Sequence, residues 1–206
     1  MPEPKEKATE TLILDAAMKV FTQRGYDGAR TEDIAKEAGI NRALLHYYFR
    51  DKQTMFNLIF ETRFKEFFGG IFNIFNSDKS LYDKISLLIE HEISMFIAHP
   101  DLARFIIGEV ATRPERLIEQ GKKLGINPRA FLESFEKQVN QEVKSGKIKT
   151  IEGRQLLMNI MSLCIYPFVA QPIIRTMMQL DRSSFNNMME VRKKDVYQFI
   201  MNALKP

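Results

Sequence analysis

The chain of 206 residues has one cysteine, Cys164. A single thiol forms neither an internal disulfide nor a cysteine-built zinc cage, so the sequence reads as that of a reduced, cytoplasmic protein. Histidine is scarce too. Glu90, His91, Glu92 and His99 are the residues that suggest a metal, but His91 and His99 lie eight residues apart, about 80° out of register on a helix, so no metal site is expected. The G-x-S-x-G, P-loop, G-x-G-x-x-G and His-Glu-x-x-His motifs are all missing. With none of these, neither an enzyme nor a bound cofactor is expected. Excess charge is small: 30 Lys+Arg against 26 Asp+Glu, a net +4. That does not by itself point to nucleic acid. Met1 to Glu10 mixes Pro, Glu and Lys without an apolar core, and no secretory signal is expected there. One uncharged run, residues 155–174, is long enough to cross a bilayer. It contains Asn159, Ser162, Gln171, Pro167 and Pro172. A buried or interface helix is expected, and no membrane.

Strand signals are absent as well: no period-two alternation, no Asn-Gly hairpin and no internal repeat. Apolar residues recur at helical spacing, and their content, 45% against 27% charged, is that of an ordinary globular protein. The expected class is all-α: a three-helix N-terminal head over residues 1–51 and a larger helical bundle over 52–206, nine or ten helices in all. The predicted helices lie near 8–28, 31–38, 41–49, 52–75, 80–98, 101–111, 114–122, 127–146, 151–179 and 184–204, the first ending at about Gly25.

The head carries the most specific signals. Ile13, Ala17, Val20 and Phe21 make the buried stripe of the first helix. Gly25 stops that helix as a C′ residue, which sets Tyr26 against Phe21. Thr31 is expected to cap the second helix, with Glu32 and Asp33 suiting its positive end. Gly39 ends it, and Asn41 caps the third helix only two residues later. That is a helix-turn-helix, with Ile34, Ala35 and Ile40 as its small core. At 100° per residue, Leu44, Leu45, Tyr48 and Phe49 face inward on the third helix. Arg42, Ala43, His46 and Tyr47 face outward. Such a helix is about 12 Å long, near the ~12 Å width of a DNA major groove. Asp51 caps the fourth helix. Lys52 in its first turn opposes the dipole unless an anion, such as a phosphate, sits there.

The run from Ile13 to Phe56 carries Gly25-Tyr26, then Thr31-Glu32-Asp33-Ile34-Ala35, then Ala38 through Lys52. Over these residues the sequence resembles the TetR/AcrR-type transcriptional regulators. The resemblance implies a DNA-binding head and a helical body that dimerises and binds a small effector. It also implies roles. Thr31 and Lys52 would touch phosphates, Arg42 and Ala43 would face bases, and Tyr47 would hold the backbone. Three positions depart from the family pattern: Asn41 stands for a frequent Ser, Ala43 for Gly, and His46 for Tyr. Asn41 still caps, and His46 still reaches a phosphate or a base edge. The expected DNA-binding set is Thr31, Asn41, Arg42, Ala43, His46, Tyr47 and Lys52.

The body is rich in Phe and late Met, which suits an adaptable apolar wall or an interface. The expected effector is small and mostly apolar. Its cavity is expected between the fourth, fifth, seventh and eighth helices, with candidates Phe64, Phe68, Met95, Phe96, Phe105, Phe131, Phe135, Met161 and Tyr166. The stripe Phe185, Met189, Val196, Phe199 and Ile200 on the last helix is the expected homodimer interface. The whole reads as a ligand-responsive regulator, a repressor by analogy, on a near-palindromic double-stranded DNA operator. The alternative is a helical binding or scaffold protein that has the helix-turn-helix shape without operator binding.

Overall fold

The computed structural model describes residues 4–125 and 127–206; the first three residues of the Met1–Glu10 segment lie outside them. Among the described residues are eleven α-helices and no strand. They are α1 (Pro4–Gly28), α2 (Thr31–Glu37), α3 (Arg42–Tyr48), α4 (Lys52–Asn76), α5 (Leu81–Ala98), α6 (Leu102–Thr112), α7 (Glu115–Lys123), α8 (Pro128–Lys144), α9 (Gly153–Val169), α10 (Gln171–Met177) and α11 (Arg182–Leu204). They pack as two compact units. One is the chain up to Phe64 with Arg104–Pro114; the other is Lys65–Ala103 with Glu115–Pro206. Packing thus divides within α4, at Phe64, whereas the sequence suggested a division at residues 51/52.

The first unit is built on aromatic rings. Phe56 stands edge-on to Phe21 and to Tyr26, each at 5.0 Å, and stacks on Phe60 at 6.3 Å. Phe60 in turn meets Phe64 and Phe105. This row at every fourth position of α4 is why its first half belongs with the head: i, i+4 side chains share one face. Gly25 has φ +69° inside the span assigned to α1, a left-handed residue that bends the chain and brings Tyr26 onto Phe21 at 6.1 Å. Gly39 has φ +68°. There the Ile40 amide donates to Ala35 O and the Gly39 amide to Lys36 O, which is the Schellman closure of a helix.

The second unit is organised by α5, which packs on α9 and α11. Here the structure corrects the expected interface. Phe185, Met189, Val196 and Ile200 are buried within their own chain, so that stripe of α11 is core. Of the five, only Phe199 is exposed, at 64%. A 3.6-residue period reports that a face is covered, not by which molecule.

The uncharged run does not form one helix. It is divided between α9 and α10, which meet at 68°, and among the described residues no single helix is long and apolar enough to cross a membrane. Pro172, in the first turn of α10, has no N–H for the carbonyl four residues back, that of Phe168, and its ring crowds that carbonyl, so α9 does not continue through it. Pro167 stays inside α9. It has no N–H to give the carbonyl four residues back, that of Leu163. Arg192 of α11 supplies the donor instead: its Nε donates to Leu163 O at 3.0 Å. This accounts for the arginine that interrupts the apolar stripe of α11. Arg192→Met should leave that carbonyl unpaired and lower stability by about 1–3 kcal/mol. Denaturant unfolding of the two chains checks this; equal midpoints would refute it.

Candidate nucleic-acid interface

One capping hydrogen bond and two buried side chains present α3. Asn41 Oδ1 accepts from the Leu44 amide at 2.8 Å, as expected of the cap. Leu45 and Phe49 are buried and hold the helix down. Tyr48 is half-buried. Leu44, expected to face inward, is 38% exposed: at 100° per residue it lies at the edge of the inward arc, about 100° from the buried Leu45. Asp51 caps α4 as expected, its Oδ1 accepting from the Thr54 amide at 2.7 Å. That bond holds the Asp51 carboxyl below its ordinary value. Thr31 does not cap α2. The N-cap is Arg30, with no side-chain bond, and Thr31 is the first helical residue, half-buried.

The outward face contains Arg42, Ala43, His46 and Tyr47, all exposed; Tyr47 is 74% exposed and its ring stands edge-on to Tyr48 at 5.3 Å. The Arg42 side chain is held in place. Its Nη1 donates to Glu32 Oε1 at 2.9 Å and its Nε to His46 Nε2 at 3.3 Å. His46 Nδ1 lies 3.3 Å from Arg50 O. The pattern assigns the proton of the neutral ring to Nδ1, leaving Nε2 as the acceptor. Glu32 of α2 and His46 of α3 therefore spread the guanidinium across the exposed face.

Lys52 is placed differently from expectation. Its Nζ donates to Tyr26 O at 2.7 Å and Ala29 O at 3.0 Å, and it lies 4.4 Å from the centre of the Tyr26 ring. A cation at the start of α4 is thus stabilised from within, by carbonyls at the end of α1 and by a ring face. Two of its three N–H donors are used this way.

The nine effector candidates are divided between the two units. Phe64 and Phe105 belong to the first unit, and the other seven to the second. There Phe131 and Phe135 close on Phe75 at 4.3 and 5.2 Å. Phe68 meets Phe67, which meets Phe96, and Phe96 meets Phe168. Met95 and Met161 are half-buried, and Tyr166 is 66% exposed. Composition reveals aromatic content but not which rings fill a core. Sequence reasoning weighed Glu92 only as a metal-ligand candidate and set it aside. It is fully buried on α5 with both carboxyl oxygens lacking a hydrogen-bond partner. Its place on the apolar face, at i+4 from Leu88 and i−4 from Phe96, was the available signal. The first unit also has a cleft of about 370 Å³, lined by Tyr26, Phe56, Phe105, Glu109 and Arg113 among others.

Comparison with known proteins bears on both parts of the chain. The family described as bacterial regulatory proteins, tetR family, matches residues 13–59. The family described as tetracyclin repressor-like, C-terminal domain, matches residues 82–198. The fatty acid metabolism regulator protein of Bacillus subtilis (strain 168) is 24% identical over 137 residues, 66% of this chain and 69% of that one. Among solved structures, the ketosteroid transcriptional regulator KstR2 of Mycobacterium tuberculosis superposes with a TM-score of 0.70 at 13% identity, covering 96% of this chain and 95% of the other. The regulator FadR from Bacillus subtilis, solved with stearoyl-CoA, superposes with a TM-score of 0.59 at 18% identity, covering 94% and 98%.

Proposed function

Because this chain belongs to the tetR family of bacterial regulatory proteins and is a DNA-binding transcriptional regulator, we infer that it is a cytoplasmic repressor that holds a near-palindromic operator as a homodimer and is released by a small, mostly apolar effector. Residues 1–51, with Lys52 at the start of the body, carry the DNA contacts; residues 52–206 carry the effector and the partner subunit. The observation behind this reading is the outward face of α3, where Arg42, Ala43, His46 and Tyr47 stand exposed on a capped, anchored helix. Arg42 reads a base, Tyr47 and Thr31 lie along the backbone, and the remaining N–H of Lys52 meets a phosphate. Asn41 keeps the helix start in register. Two such heads related by a twofold axis reach successive major-groove faces about 34–36 Å apart.

The apolar effector is supported by the phenylalanine and methionine content of the second unit and by relatives named for fatty acid metabolism. α4 runs unbroken from Lys52 to Asn76 and is the route proposed for effector action on the head. An effector with different affinities for two head arrangements, a coupling of about 1–3 kcal/mol, loosens DNA roughly 5–150-fold.

Selection of operator fragments by the purified protein, followed by binding at fixed salt, tests the DNA half. Arg42→Ala should cost roughly 1–3 kcal/mol and relax base preference at one position in each half-site. An unchanged base preference would show that α3 does not read the operator.

A further inference from the structure

We propose that the carboxyl of Glu92 is the polar anchor of the effector site, and that the effector it takes is an apolar molecule with a protonated amine head. This rests on the ligand-released reading above and adds the site and the chemical class.

Glu92 is 0% exposed and neither of its oxygens has a hydrogen bond. The polar side chain set against it is the thiol of Cys164 on α9, also fully buried. A thiol is a weak donor and leaves the carboxyl unsatisfied. The layer one turn along both helices is the ring pair Phe96 and Phe168, 5.2 Å apart; the layer one turn back holds Leu88 and Ile160, both buried. Met95 and Met161 flank this ladder, half-buried, and their unbranched side chains can repack around a guest. An acid alone at the centre of an apolar stack is costly, and a hydrogen-bond donor from a ligand would relieve that cost.

The charge of that donor follows from the neighbouring bases. Arg192 of α11 donates to Leu163 O. Lys193 holds Glu90 and Glu190. The His91 ring nitrogen Nε2 lies 2.9 Å from Phe67 O. Arg192, Lys193 and His91 are thus each engaged with another partner, and a cationic head would both donate to the Glu92 carboxyl and balance its charge. Burial lifts the carboxyl of Glu92 to about 8, so near neutral pH it holds its proton. Entry of an ammonium group ionises it: the O–H bond breaks, the proton leaves to solvent, and the carboxylate pairs with the bound cation. Binding therefore releases about one proton.

The test uses the full chain, calorimetry at pH 7 in two buffers of different ionisation heat, and n-decylammonium, n-decanol and n-decanoate as probes below their micellar concentrations. The parent should bind the amine roughly tenfold or more tightly than the alcohol, with release of close to one proton. Glu92→Gln, which keeps shape and a polar head, should lose both the preference and the proton release; Glu92→Met should do the same. An amine bound no better than the alcohol, or bound alike by parent and both variants, overturns the anchor. If decanoate is the tight ligand and dislodges operator DNA from parent and variants alike, the anchor falls while the ligand-released regulator stands. Failure of the ligand-free parent to bind any operator would instead sink the regulator reading, which the calorimetry does not involve.

Discussion

A chain carrying Tyr166→Glu and Phe199→Glu should run as a folded monomer and lose operator affinity by roughly 10²–10⁴-fold, the advantage that a second linked module confers. The choice of positions comes from exposure. Tyr166 and Met158 of α9, and Val191 and Phe199 of α11, are large apolar side chains left facing out. Ile173, Met177 and Met178 extend this surface along α10. α9 and α11 touch, so two copies related by a twofold axis would bring four helices together in a closed, isologous contact. Glutamates there would place like charges opposite one another in a desolvated interface. The contrast with Ile200 sharpens the test. Ile200 is buried within its own chain, so Ile200→Glu should unfold each subunit and lower its helical signal. Light scattering and circular dichroism separate the two outcomes. A Tyr166→Glu, Phe199→Glu chain that remains dimeric would place the interface elsewhere.

The melting temperature of the parent should fall as pH rises from about 5 to 8, and Glu92→Gln should flatten that slope. The carboxyl of Glu92 is raised from 4.5 to about 8 by burial. Between those values the folded chain holds a proton that the unfolded chain has lost. Fewer protons bound in the unfolded state make stability decrease with pH. The contribution is complete below about pH 4.5 and is lost as pH climbs through 8. The slope is about 1.4 kcal/mol per pH unit, or roughly 3–5 °C for a chain of this size. At pH 8 the glutamine variant should therefore melt above the parent. Parallel profiles for the two chains would mean that Glu92 does not titrate in this range.

Local signals in the sequence carried over into the structure because their causes are local. A left-handed C′ glycine needs only its own backbone, and Gly25 and Gly39 are found there. A capping side chain reaches three residues, as Asn41 and Asp51 do. The outward set Arg42, Ala43, His46 and Tyr47 followed from 100° per residue on a helix too short to curve.

What came from tertiary structure needed a partner distant in sequence. Lys52 reads as a misfit at the start of α4 until the carbonyls of Tyr26 and Ala29, more than twenty residues earlier, are beside it. Arg192 reads as an interruption of α11 until Pro167 leaves Leu163 O without its helical donor. The apolar period of α11 was legible from the residues alone, yet its covering by α5 and α9 of the same chain was not, since periodicity carries no identity of the covering surface. The sequence by itself determined most of the helices, the capped starts at Asn41 and Asp51 and the outward set on α3, because these depend on contacts within a few residues. Only the packing of α5, α9 and α11 decided which apolar residues are core, which remain exposed, and that one glutamate lies sealed among them, because burial is a property of the assembled neighbours.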